Sequence, residues 1–196
     1  ASCEIVDFHT NITCVARDGQ VVFQAEAASG EEKQQTDRSV LSVEEIIRFA
    51  DCVEIEDVAE VIRRQIAYNS AISAEGLKGG WGAEVGKPIR TVYGDNVSVR
   101  AKAAAAAGSD ARMSGCELPV VIVSGSGNQG MTASLPVIEY ARDMGVDEEA
   151  MIRALVVSDL VTIHQKTGIG RLSAFCGAVS AGCGAAAGIA YLKGGR

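Results

Sequence analysis

The sequence predicts an α+β chain: a small N-terminal antiparallel sheet, then a mainly helical domain rich in Ala and Gly. Three observations carry that reading. Residues 9–27, HTNITCVARDGQVVFQAEA, alternate apolar and polar side chains on both sides of Asp18-Gly19. An Asp-Gly pair between such runs is a strong hairpin signal, because Gly tolerates positive φ. After residue 38 the apolar period changes to that of helices, and the later segments are unusually rich in small residues.

In the first strand of the hairpin, Ile12 and Cys14 share a face; in the second, Val21, Phe23 and Ala25 do. CEIVDF, residues 3–8, adds a third strand. A sheet this small is marginal alone, and it starts almost at residue 1, so it is expected to continue in a longer protein. The domain boundary is placed between residues 38 and 39.

In the helical part, Ser42 and Glu45 form a capping box for a short helix through Asp51. Val58, Val61, Ile62, Gln65, Ile66 and Asn69 recur at helical spacing, which predicts a second helix over 55–74. GLKGGWGAEVGKP, with the single Trp81, has too many glycines for regular structure. VRAKAAAAAGSDARM reads as an Ala-rich helix ended by Gly108. Asp147 caps a helix reaching about Gln165, with Glu148 and Glu149 suited to its positive end. A last helix runs over about 171–192. Residues 172–192 are long enough to span a bilayer, but Ala, Gly, Ser173 and Ser180 contribute little to insertion. A buried core helix is the better reading.

The 196 residues, 47% hydrophobic and 22% charged, fit a globular protein. A net charge of −7 argues against a nucleic-acid partner. No signal peptide is visible. The six cysteines include no CxxC pair, and a chain of this size needs no disulfide framework, so a cytoplasmic protein with reduced thiols is expected.

Residues 124–137, SGSGNQGMTASLPV, carry the main candidate site. Gly125, Gly127 and Gly130 permit close backbone approach. A loop of this kind entering a helix offers free N–H groups to a carboxylate or phosphate; Ser124, Ser126, Asn128 and Gln129 add side-chain donors. The stretch is neither a P-loop nor, without a βαβ context, a dinucleotide fingerprint. Having no Lys, it suits a small carboxylate better than a polyphosphate; the alternative is a crowded turn. Asp110 and Arg112 form either a structural ion pair or, through the planar guanidinium, a carboxylate clamp. Cys176 and Cys183 share a helix face, but their spacing is wider than that of common metal motifs, so buried structural thiols are the default. His9 lies in the strand region. His164, at the end of an apolar helix, is a helix-end cation, a satisfied core group or a general base.

SDARM, SGSGNQGMTASLPV and GRLSAFCGAVSAGCGAAAGIAYLKGG, in this order, resemble the serine dehydratase α-chain type family. The resemblance is closest to its branch of L-cysteine desulfidases and uncharacterised UPF0597-like proteins. It implies a metal-binding lyase of amino-acid catabolism. An oxygen-sensitive [4Fe–4S] cluster on three cysteines would act as a Lewis acid on the leaving group of L-serine or L-cysteine, giving pyruvate and ammonia. Ser124–Gln129 and Arg112 would bind the substrate carboxylate, and Cys176 would be a cluster ligand. His164, Lys102 or a residue outside this chain are open candidates for the base, and Cys183 matches no ligand position. The branch's other cysteines, one in a CTEP-like motif near the start of the protein and one beyond YLKGG, have no counterpart here. The resemblance therefore implies a middle fragment, without cluster or activity alone. The rival readings are a non-catalytic carboxylate-binding or regulatory domain, and a structural partner whose Ala/Gly helices pack on another subunit or form a homo-oligomer.

Overall fold

In a computed structural model, which describes residues 1–6, 11–27, 36–170 and 176–195, the chain divides into two compact units, residues 1–37 and 38–196. The first unit is a three-stranded antiparallel sheet: β1 (Ser2–Ile5), β2 (Ile12–Arg17) and β3 (Gln20–Gln24), in the order β1-β2-β3. Asp18 and Gly19 both take positive φ, 51° and 79°. That is the two-residue turn whose twist suits a hairpin. Val15 pairs with Cys3 on one side and Phe23 on the other, while Cys14 pairs with Glu4 and Gln24. Cys14 and Phe23, expected on the apolar faces of their strands, therefore point to opposite faces of the sheet. His9 lies outside the described residues.

Among the described residues the second unit holds seven helices: α1 (Val43–Cys52), α2 (Ile55–Lys78), α3 (Gly86–Tyr93), α4 (Val97–Met113), α5 (Gly127–Met144), α6 (Glu148–Ile169) and α7 (Gly177–Leu192). α5 is the hub and packs on α2, α4, α6 and α7. One buried cluster joins Ile46, Ile62, Ile138, Ile152 and Leu155; a second joins Ile72, Ala104, Met131 and Leu135. Each large aliphatic side chain so buried contributes roughly 1.5–3 kcal/mol from removal of apolar surface. The small residues let helices touch backbone to backbone. A Cβ on Gly184 would lie 2.4 Å from the carbonyl oxygen of Ser158, so α7 sits directly on α6.

Caps explain most of the starts. Oγ of Ser42 accepts from the amide of Glu45 at 3.2 Å, Oδ1 of Asn96 from Val99 at 3.1 Å, and Oδ1 of Asp147 from Ala150 at 2.8 Å. Asp147→Ala is expected to cost about 1 kcal/mol, read as a lower urea midpoint with unchanged slope. Two expectations need correction. α4 does not end at Gly108 but continues to Met113. A Cβ at Gly108 would lie 2.7 Å from Sδ of Met131, so this glycine serves contact with α5 and not termination. The Gly-rich stretch before it, residues 76–88, holds the end of α2 and the first turn of α3, with Pro88 in that turn, where a missing N–H costs nothing. The start of the last helix, residues 171–175, lies outside the described residues; α7 begins at Gly177. Among the described residues no helix is long and apolar enough to cross a membrane.

Candidate functional site

The candidate site is built where α4 ends and where α5 and α7 begin. Residues 116–126 form neither helix nor strand. Ser126 caps α5, its Oγ accepting from the amide of Gln129 at 3.3 Å. The Gln129 side chain is fully buried and turns back on the loop. Its Oε1 accepts from the amide of Ser124 at 3.0 Å, and its Nε2 donates to Oγ of Ser124 at 3.3 Å. Gln129 thus holds the loop through its oxygen and one N–H of its amide. The amides of Gly127 and Asn128, in the first turn of α5, lie at the positive end of the helix, where no intrahelical acceptor exists.

Arg112, in the last turn of α4, lies across this turn. A Cβ at Gly127 would fall 2.4 Å from its Nε and 2.7 Å from its Cδ, so only glycine admits the guanidinium here. Nη1 of Arg112 donates to Oδ1 of Asn128 at 3.2 Å. Arg48, Arg63, Arg90, Arg100, Arg142 and Arg153 each meet a carboxylate. Arg112 is half-buried and meets none among the described residues. Of the two readings of Asp110 and Arg112, the ion pair does not form among the described residues: Oδ2 of Asp110 instead accepts from the amide of Val85 at 2.6 Å, ahead of α3.

Cys176 is the residue before α7; its exposed thiol makes no capping bond. Gly177 abuts the same loop, since a Cβ there would lie 3.5 Å from Cδ of Gln129. The starts of α5 and α7 therefore converge at Gln129, with Arg112 against Gly127 and Cys176 next in the chain to Gly177. Cys183 is exposed and not buried as the structural reading expected. His164 is half-buried on α6 and no hydrogen bond joins it to the loop among the described residues. Lys102 is exposed on α4, about 15 Å along the axis from Arg112 at the α-helical rise.

A [4Fe–4S] cluster draws several thiolates from the protein. Among the described residues no three His, Cys, Asp or Glu side chains converge. Cys176 is one suitably placed thiol, so the donors described here do not by themselves fit the cluster.

The sequence reading missed Asp159. Burial pushes its carboxyl up to about 7, against the opposing hydrogen bond from Nε2 of Gln65 at 3.0 Å. The signal was an acid inside the apolar run MIRALVVSDLVTI, facing a polar residue of α2.

The family model for the serine dehydratase alpha chain matches residues 19–196. The chain is 60% identical to a UPF0597 protein of Desulfitobacterium hafniense, over 97% of this chain and 44% of that relative. It is 55% identical to a UPF0597 protein of Lachnoclostridium phytofermentans, over 98% of this chain and 46% of the relative. It is 40% identical to the UPF0597 protein YhaM of Salmonella paratyphi B, over 100% of this chain and 47% of the relative. The chain spans a little under half the length of these relatives. No solved structure matches it. With a family match over most of its length, the chain belongs to the serine dehydratase alpha chain family.

Proposed function

We propose that this chain is the amino-acid-binding part of a lyase that eliminates the β-substituent of L-serine or L-cysteine, yielding pyruvate and ammonia. The observation that carries the reading is Arg112: a half-buried guanidinium without a carboxylate partner among the described residues, beside the first-turn amides of α5. A substrate carboxylate supplies the missing counter-charge, held by the planar fork of Arg112 and by the amides of Gly127 and Asn128. Ser124 and Ser126 stand in the same loop, which Gln129 holds in shape. The start of α7 meets Gln129 and adds its positive end, with Cys176 as the residue before its first turn.

The cluster implied for this family would take Cys176 as one ligand, with its remaining thiolates supplied from outside the described residues. His164 is the candidate proton acceptor on this chain. Alone, the chain is expected to bind no stoichiometric iron and sulfide after anaerobic reconstitution; a full cluster on it would refute that.

The test of binding is calorimetric titration with L-serine and L-cysteine. Arg112→Ala is expected to weaken binding at least about tenfold, since a charge-assisted bidentate pair contributes more than 1.4 kcal/mol. Equal affinities would remove Arg112 from the site. The test of reaction is anaerobic pyruvate release by a full-length protein containing this chain. Cys176→Ala is expected to abolish release. Tight binding with no pyruvate from that protein would leave a non-catalytic carboxylate-binding domain.

A further inference from the structure

The loop is held from behind by a side chain that touches none of the groups assigned to the ligand. Residues 116–126 have no regular backbone pairing, and buried backbone groups need partners from somewhere. At Val121 one side chain supplies both. Oδ1 of Asn69 accepts from the amide of Val121 at 2.9 Å, and its Nδ2 donates to the carbonyl of Val121 at 3.2 Å. This is the paired hydrogen-bond pattern that a neighbouring strand would give. The amide orientation is not arbitrary, because a backbone N–H can only donate and a carbonyl only accept.

The same Nδ2 donates to Oγ of Ser134 at 2.9 Å, and that hydroxyl donates to the carbonyl of Gly130 at 2.8 Å. Asn69 and Ser134 are both 0% exposed. One amide of α2 therefore meets the irregular segment and the first turns of α5 at once. Three residues after Val121, the amide of Ser124 reaches Gln129 of the same α5 turns.

We propose that Asn69 is the positioning residue of the candidate ligand loop: its pair of hydrogen bonds to Val121 sets where residues 121–126 sit against the start of α5. The inference rests on reading that loop as the amino-acid site. Without the clamp, Val121 loses both partners and the Ser124–Gln129 contacts lose their anchor.

The test uses the whole chain in four forms: wild type, Asn69→Leu, Asn69→Asp and Ser134→Ala. Two quantities are read, amide hydrogen exchange over residues 121–124 and affinity for L-serine. Asn69→Leu removes the clamp. It is expected to speed exchange of these amides at least about tenfold while α4 and α6 amides stay protected, and to weaken L-serine binding by a similar factor. Asn69→Asp keeps an acceptor for the Val121 amide and loses the donor to its carbonyl, so its exchange is expected to lie between the two. It carries the test should the leucine variant fail to fold. Ser134→Ala leaves the clamp in place, and both readings should stay within about twofold of wild type. Unchanged exchange at 121–124, or a rise spread evenly over all helices, would reduce Asn69 to an ordinary core residue and overturn the proposal. Absence of L-serine binding by the wild type would instead overturn the amino-acid reading, with the exchange data still deciding the role of Asn69.

Discussion

Replacing Gly130 by alanine is expected to cost about 3 kcal/mol of folding stability. Helix propensity points the other way: alanine is favoured over glycine in a helix interior by about 1 kcal/mol. Packing decides against it. A Cβ at residue 130 would lie 2.0 Å from the carbonyl oxygen of Val121 and 2.9 Å from Cα of Ile122. Both are backbone atoms, and the Val121 carbonyl is also held by Nδ2 of Asn69, so no flexible side chain can yield. The 116–126 segment must move away from α5, breaking the Asn69 clamp and displacing Ser124. For a unit of this size the loss corresponds to a fall in Tm of roughly 6–12 °C. L-serine binding should fall with it. Gly182→Ala is the control. Gly182 is exposed in α7 with nothing within 4 Å of a Cβ, so that substitution should stabilise by about 0.5–1 kcal/mol. Opposite signs from one chemical change, read by thermal melts, would establish the close approach. Two stabilising outcomes would refute it.

This pair of glycines shows what was legible and what was not. The sequence marked α5 by its loop, α6 by the Asp147 cap and α2 by its period, because these signals are local. The purpose of a glycine is not local. Gly108 reads as a helix stop and is instead a gap for Met131. The glycines around Trp81 read as a loop and conceal α3, whose contacts with α4 outweigh poor propensity. The candidate site divides in the same way. Gln129, Ser126 and Arg112 stand in a stretch whose composition announces them. Asn69 appeared only as one member of a helical run, since nothing in α2 shows that its amide would meet a segment over fifty residues away. Gln65, one turn earlier, was hidden likewise, and so was its partner Asp159.

Asp159→Asn is expected to stabilise the protein above pH 7 and to leave it nearly unchanged near pH 4. Nε2 of Gln65 donates to Oδ1 of Asp159, but Oε1 of Gln65 is buried with no hydrogen-bond partner among the described residues. A carboxylate cannot supply the missing donor; a protonated carboxyl can. Burial favours the same neutral form and pushes the group from 3.8 up to about 7. The sign follows from proton binding. Between these two values the folded chain holds a proton that the unfolded chain has released, so stability falls as pH rises. The contribution is complete below the unfolded value and is lost by the time pH passes the folded one. Its size is on the order of 2–4 kcal/mol, allowing for the partial exposure of the residue. Asparagine removes the titration and offers Gln65 both a donor and an acceptor at every pH. Exposed pairs such as Arg63–Glu148 titrate in both proteins and cancel in the difference. The measurement is therefore the difference in urea unfolding free energy between variant and wild type at pH 4.5, 6 and 8. A difference that grows with pH places the proton on Asp159 in the folded state. A flat difference would mean that the carboxyl is already ionised there, and that water or a cation meets Oε1 of Gln65 instead.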